Sequence, residues 1–422
     1  MPDPTRSPAG APPSAARHSL HRAGVRSGER ALAPDLARGV MLLLIVLSNT
    51  VFYLYAADHG PSGWHPVDGS VLDSVVQFAM VVGLDLRTFP MFAFLFGYGM
   101  MRLYQRQTEA GTAPKAAVAL LRRRSLWLFV FGAAHAALLM AGDILGVYAL
   151  ISVVLGWLVL RRTPRTMLVV AGVLYFLLVA LTALTYLEFV GGGDASADVP
   201  SAVAYAAHET NYFASVGTRL ETWLLGSTLL GSLFSFSFHA AMVLGFWAAR
   251  RRVLEEPRRN LRLLTTTAIL GVSVGWLGGL PIALDHVGLL SIPAAAHGPN
   301  GPVFMWQVMT GLPGGLGYAA LFGLLAMWLS ERARRGVVVN AVAALGKRSL
   351  SGYLAHSVVF SPVLAAWGLG LGAHLGSASV AAFAVLTWLV TVAGAYALEL
   401  SDRRGPAEAL LRRLMYRDAA SR

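Results

Sequence analysis

Two ionisable residues stand eight positions apart in a single apolar stretch: His135 and Asp143 in FGAAHAALLMAGDILGVYAL, residues 131–150. An imidazole with a pKa near about 6.5 takes and returns a proton around neutrality, and a carboxylate beside it can orient the ring or hold an acceptor. Ionisable side chains cost about 2.5–3.5 kcal/mol in the middle of a membrane helix, so each one that persists marks a candidate site. On one straight helix, eight residues rise about 12 Å, which keeps the two side chains apart but lets them line one polar cavity from adjoining faces. Two plainer roles compete with chemistry. His135 could bond a neighbouring helix, and Asp143 could cap the next helix, where free N–H groups and the helix dipole favour a negative charge.

Other polar residues extend the shortlist. PDLARGVMLLLIVLSNTVFYLY places Asp35 and Arg38 three apart on one helix face, with Asn49 eleven residues beyond Arg38, about 16 Å along the axis. Arg38 either holds an anionic group or anchors the helix end, and Asn49 suits a polar contact between helices. Arg87 precedes TFPMFAFLFGYGM, where Gly97 and Gly99 allow a neighbouring helix close. It falls on the side where basic residues are rare, so it calls for an anionic partner such as Asp85, Asp143 or a substrate. GKRSLSGYLAHSVVF sets Ser349, Tyr353 and His356 on one face, directed to the interior of a bundle. A serine triad does not follow, because Ser349 and His356 lie about 10 Å apart along the axis and no GxSxG elbow exists. His59 and His65, with Asp58 and Asp68, match no zinc spacing and read as loop residues. No metal site or cofactor motif is assigned.

The elements that must position these groups are membrane helices. Of the 422 residues, 56% are hydrophobic and 13% charged, far from the roughly 25% charged composition of soluble domains. A span needs about 20 apolar residues. Ten candidates lie near 36–57, 87–104, 124–141, 144–161, 166–189, 221–249, 263–284, 306–330, 349–371 and 377–400. Residues 71–84 read as an amphipathic helix at the interface or re-entering before the second span. With both termini inside, all but Arg87 and Arg219 of the 34 Lys and Arg residues fall on the cytoplasmic side. The expectation is an all-α, polytopic transmembrane bundle over 31–417, with outer loops at 58–86, 190–220 and 285–305. Residues 1–30, rich in Pro, Ala, Ser and Arg, read as a disordered cytoplasmic tail, with no cleavable signal peptide. The net charge of +12 punctuates helix ends rather than forming a basic face, which argues against nucleic acid. The absence of cysteine excludes disulfides and thiolate chemistry.

APDLARGVMLLLIVLSN, FGYGM, RRRSLWLFVFGAAHAALLMAGDILGVYAL, GKRSLSGYLAHSV and RRGPAEALLRRLMYR resemble, in that order, the YeiB-like bacterial membrane proteins, domain of unknown function 418. The resemblance runs from about residue 31 to 417. It covers Asp35, Arg38, Asn49, Gly132, His135, Asp143, Ser349, Tyr353 and Glu408, with a basic residue usual at Arg87 and a glutamine more familiar at His356. The first-helix pattern is also similar to that of transmembrane acyltransferases, which pass acyl groups from a cytoplasmic thioester to an acceptor across the membrane. In one branch a histidine acts as base where this chain has Asn49, and an amide cannot take a proton at neutral pH. A second branch has asparagine there and its working histidine in the following outer loop, the region of His59 and His65.

These observations favour acyl transfer from a thioester donor to an extracytoplasmic carbohydrate or small metabolite, in the bacterial cytoplasmic membrane. His135 would be the base or proton relay and Asp143 its orienting or acceptor-binding carboxylate. Arg38 and Arg87, with Asp35, Asn49 and Tyr353, would bind donor or acceptor. The rival is a transporter or exporter that uses the same His and Asp residues as a proton or substrate path. A third expectation is a non-catalytic partner of another membrane protein.

Overall fold

The computed structural model describes residues 32–60, 64–67, 69–193, 202–298, 301–330 and 336–416. The expected tail, residues 1–30, and Asp68 lie outside the described residues. Fifteen α-helices follow in chain order, and the described residues contain no strand, only an isolated bridge between His59 and Pro66.

The first helix, α1 (Leu32–Ser48), runs on into a 3-10 turn at Thr50–Tyr53. Next comes α2 (Val71–Gly83), started by a capping box in which Ser70 and Asp73 satisfy each other's backbone N–H. It bends by 44° into α3 (Thr88–Glu109). Prolines in the first turn open α4 (Pro114–Leu138) and α6 (Pro164–Val190), where a missing N–H costs nothing, and α5 (Leu145–Leu158) lies between them. After α7 (Tyr212–Glu221) the chain passes through a π-helix, Thr222–Leu230, then α8 (Gly231–Phe234) and α9 (Phe236–Arg250). The remaining helices are α10 (Leu261–His286), α11 (Pro302–Ser330), α12 (Val337–Lys347), α13 (Ser349–Leu364), α14 (Ser377–Leu400) and α15 (Pro406–Tyr416).

Among the described residues five helices are long and apolar enough to cross a membrane: α1 with its 3-10 extension, α6, α10, α11 and α14. The number becomes seven if α2 with α3, and α7 through α9, each count as one bent span. These seven coincide with seven of the ten stretches expected from sequence. The other three fall on α4, α5 and α13. Arg122, Arg123 and Arg124 lie within α4, while α5 with 14 residues and α13 with 16 are shorter than the roughly 20 a straight crossing needs. The expected interfacial helix at 71–84 is α2.

The outer surface is apolar in a way water would not tolerate. Phe176, Leu184 and Leu187 of α6, Leu277 of α10 and Val390 of α14 are all more than half exposed. Such faces suit lipid, and the protein is a multi-pass membrane protein. Inside, helices approach closely where side chains vanish. A Cβ on Gly97 of α3 would sit 2.3 Å from the carbonyl oxygen of Met242 on α9, so this glycine is what lets the two helices touch.

The two arginines that break the charge pattern, Arg87 and Arg219, are both fully buried. Arg87 donates from Nε and Nη2 to the Gly275 carbonyl, at 3.2 and 2.6 Å, and from Nη1 to the carbonyls of Val81 and Asp85. It pins α2 and the start of α3 to α10. Arg219 donates twice to the carbonyl of Ala137, at 3.2 and 2.9 Å, near the end of α4.

Candidate functional site

The chain between α4 and α5 decides where His135 and Asp143 lie. α4 stops at Leu138, and residues 139–144 turn the backbone back on itself. Asp143 therefore folds over the end of α4, and its Oδ2 meets Nδ1 of His135 at 2.9 Å, with both side chains fully buried. The 12 Å separation expected of a straight helix does not hold, because the helix ends between the two residues.

The turn closes this tightly because Gly132, one turn before His135, has no side chain. A Cβ there would lie 2.5 Å from Asp143 Oδ1 and 2.8 Å from the backbone nitrogen of Gly146. Asp143 also caps α5, its Oδ1 accepting from the Gly146 N–H at 3.0 Å. Capping and pairing with histidine are thus performed by different oxygens of one carboxylate.

Two distant elements complete the cluster. Trp223, at the start of the π-helix, donates its indole N–H to Asp143 Oδ1 at 3.3 Å. Tyr353 of α13 donates its hydroxyl to Asp143 Oδ2 at 3.2 Å, and its ring lies 5.0 Å from the His135 ring. With Asp143 ionised its carboxylate accepts in all four bonds, and in that form Nδ1 of His135 is the donor and Nε2 keeps its lone pair. Nε2 is buried and has no hydrogen-bond partner among the described residues. Structural histidines normally satisfy both ring nitrogens.

On the other side of Tyr353 lies a cavity of about 660 Å³. Its walls come from α1, α3, α4, α5, α12, α13 and α15 and from the turn that follows α9. They carry seven cations, Arg38, Arg102, Arg106, Arg124, Arg252, Lys347 and Arg412, against three carboxylates, Asp35, Glu255 and Glu408. Some of that charge is balanced within the protein. Arg102 meets Glu255 at 2.6 Å, Lys347 meets Glu399 at 2.6 Å, and Arg38 lies 3.6 Å from Asp35 while donating to the Leu95 carbonyl. Among the described residues Arg124 meets no such carboxylate: its guanidinium stands over the Phe96 ring at 4.9 Å, and its Nη1 is buried without a hydrogen bond.

The sequence-derived candidates therefore separate into groups. His135, Asp143 and Tyr353 form one bonded cluster, and Asp35, Arg38, Ser349 and Tyr353 line the cavity. Asn49 lines a void of about 10 Å³ on the far side of Tyr353, together with Tyr53 and His356. His356 is tied to Thr391 of α14 at 3.1 Å. Arg87 does not line this cavity; of its expected partners it meets Asp85, whose backbone carbonyl accepts from Nη1. His65 belongs to a separate group, bonded to Asp85 at 2.7 Å. Far from being an open loop residue, it is buried.

Sequence reasoning missed Trp223 and Arg124. Trp223 follows Glu221 and Thr222 at the start of a mostly apolar stretch, with nothing in its spacing to mark it as a partner of Asp143. Arg124 was hidden in an RRR triplet that reads as a helix anchor, although its place as the last cation before WLFVFGAAH set it deepest.

Residues 248–418 match the family model described as protein of unknown function (DUF418). Over 409 residues the chain is 24% identical to the uncharacterised protein YxaH of Bacillus subtilis, covering 92% of this chain and 95% of that one. Over 410 residues it is 26% identical to the uncharacterised protein YeiB of Escherichia coli, covering 93% and 97%. No solved structure matches significantly.

Proposed function

The chain belongs to the YeiB-like DUF418 family, and we propose that it is an acyltransferase of the bacterial cytoplasmic membrane. It would move an acyl group from an anionic thioester in the basic cavity to a carbohydrate or small-metabolite acceptor on the outer side. One observation carries this reading: His135 is oriented through Nδ1 by a buried carboxylate while its Nε2 stays buried and unpartnered. A general base needs that arrangement, and His135 differs from His65, which pairs with Asp85 in the same way, in that Tyr353 ties its carboxylate to the cavity wall.

In the reaction, the acceptor hydroxyl oxygen attacks the thioester carbonyl carbon while Nε2 of His135 takes the hydroxyl proton. The tetrahedral intermediate then collapses, the C–S bond breaks, and the proton on Nε2 passes to the departing thiolate. Asp143 remains ionised throughout and stabilises the transient imidazolium. Tyr353 links this pair to the cavity, because its hydroxyl is on Asp143 and its side chain lines the cavity wall. Arg38, held by Asp35, faces the donor, and Asn49 lies on the acceptor side of Tyr353. Arg87 is given a structural role.

The ten-span, N-in and C-in arrangement belongs to the same proposal. The distribution of Lys and Arg supports it, with the cavity among the helix ends where those residues collect. The test is to incubate purified protein with a mixed acyl-thioester pool and an envelope or metabolite extract. Loss of one thioester matched by one new acyl mass is expected. No thioester consumption under any extract would overturn it.

A second observation favours transport. Tyr353 lines both the cavity and the void containing Asn49, and Tyr53 and Met140 line both that void and a further one reaching Arg219. The openings form an interrupted line through the bundle. Substrate flux into vesicles without any covalent change would establish the carrier in place of the enzyme.

A further inference from the structure

A second opening, of about 570 Å³, lies between α4 and α5 with the buried Met100 of α3 at its base. Its size falls within the roughly 300–1,000 Å³ of small-ligand sites. The two helices are tied together where the buried hydroxyls of Ser125 and Ser152 meet at 2.6 Å, and the groove runs from Ser152 towards the start of α4 and the end of α5. Small residues leave it unfilled: Ala119 on α4 and Gly156 on α5. Val154 and Trp157, which line it, are at least half exposed, so it gives onto the apolar outer face that suits lipid. Lys115 and Arg122 set its charge. Seven positions along one helix return to the same face, about 10.5 Å further on, and both side chains are exposed and line the groove. Among the described residues neither has a carboxylate partner, and no Asp or Glu lines the groove. Lys115 also stands in the first turn of α4, where the helix dipole repels a cation, and that turn has neither an acidic residue nor a side-chain cap. An anion there answers the side chains and the helix end together.

We infer that this groove binds an anionic glycerophospholipid, its phosphate held by Lys115 and Arg122 and one acyl chain lying over Val118, Val154 and Trp157. Charge selects the headgroup. A zwitterionic lipid brings its own cation to two that are unanswered, whereas an anionic one brings a net negative charge, to which each nearby Lys or Arg adds attraction. The apolar walls and the opening onto the lipid-facing surface select a lipid over a free anion. Arg122, two turns further along α4, is long enough to lay its stem on the apolar wall and return its charge to the headgroup level, and an exposed tryptophan such as Trp157 suits that level too. The inference rests on α4 and α5 lying in the bilayer, as in the proposed ten-span arrangement, and is independent of acyl transfer.

Lipid binding to the full-length protein tests this without any turnover. Dioleoyl phosphatidylglycerol and dioleoyl phosphatidylcholine, alike in their chains, would be titrated in mixed micelles and followed by native mass spectrometry and thermal unfolding. The wild type should bind the phosphatidylglycerol about tenfold more tightly, a difference of about 1.4 kcal/mol. Equal binding of the two lipids overturns the site. K115Q/R122Q should lose the preference while its unliganded melting temperature stays level, because both side chains are exposed. R165Q/R262Q removes the same charge from exposed positions outside the groove and should keep the preference; an equal loss there reduces the effect to net charge and overturns the site. A119W fills the groove from an exposed position and should weaken binding of both lipids, so undiminished binding in that variant overturns it as well. A dimer that retains no lipid and that A119W dissociates would give the groove to a second copy of the chain instead. Loss of lipid preference in the wild type while cysteine labelling upholds the ten-span arrangement would sink the groove alone. Failure of acyl transfer with the preference intact would sink the reaction and leave the groove standing.

Discussion

At the scale of single residues, the pairing of His135 with Asp143 and the burial of Arg87 make opposite predictions. Asp143→Asn keeps an acceptor oxygen for the Gly146 N–H and Trp223, so the start of α5 should hold. The amide that replaces Oδ2, however, is a donor facing the His135 ring, which forces the imidazole proton from Nδ1 to Nε2. A base protonated at the working nitrogen cannot accept, so activity should fall by about 10³-fold or more. His135→Gln should fall by about 10²-fold or more, because no group remains to carry the proton. Both variants should purify at wild-type yield with similar melting temperatures; full activity in both would return the pair to a packing role. Arg87→Met should behave the other way. It strips donors from three buried carbonyls, each worth about 1–3 kcal/mol when unsatisfied, so the melting temperature should drop while the protein that remains folded keeps its KM. A normal melting temperature with a raised KM would make Arg87 a substrate ligand after all. The ionisable residues of apolar runs were legible because their cost in lipid is large whatever surrounds them. Tyr353 was legible only as a polar face of α13, and its bond to a residue 210 positions earlier follows from tertiary packing that no local pattern encodes.

At the scale of elements, the turn between α4 and α5 is the feature that local reasoning treated correctly as a break and incorrectly as a distance. Gly142 and Asp143 end one apolar run and begin another, which sequence shows. That the turn folds Asp143 back onto His135 depends on Gly132, Gly146 and Trp223 fitting together in space. Gly132→Ala tests that fit with a single methyl. The new Cβ would fall 2.5 Å from Asp143 Oδ1, inside any tolerable contact, and next to backbone that cannot swing away. The variant should insert and retain its helical signal, because alanine is the better helix former. Its activity should nevertheless fall nearly as far as that of Asp143→Asn, and the two changes combined should be no worse than either alone. Additive losses would mean that the glycine serves helix packing independently of the pair. The shortness of α5 and α13 belongs to this scale too. Apolar composition marked both stretches, but where a helix stops is set by its neighbours: α13 ends at Leu364, just beyond Pro362, and the chain turns back so that the Leu369 N–H bonds the Pro362 carbonyl.

At the scale of the whole molecule, charge gives the bundle its direction, and direction is what separates donor from acceptor. Basic residues are retained on the cytoplasmic side, and in this chain the two exceptions, Arg87 and Arg219, are buried and bonded to backbone carbonyls rather than displayed to an outer surface. With both termini inside, as proposed, the rule would be obeyed by the exposed residues, which are the ones insertion responds to. In the proposed orientation the mouth of the 660 Å³ cavity would open to the cytoplasm, and the loops carrying Thr210 and Leu289 would face outwards. A chain without native cysteine allows a direct check. Cysteines placed at Thr210 and Leu289, both exposed, should react with a membrane-impermeant maleimide in intact spheroplasts. Cysteines at Lys115 and Ser401, also exposed, should react only after the membrane is opened. Labelling in the reverse pattern would invert the bundle and put the basic cavity outside, beyond the reach of a cytoplasmic donor. Labelling of Lys115 and Leu289 from the same side would break the relation between the α4 and α10 ends on which both the span arrangement and the direction of transfer depend.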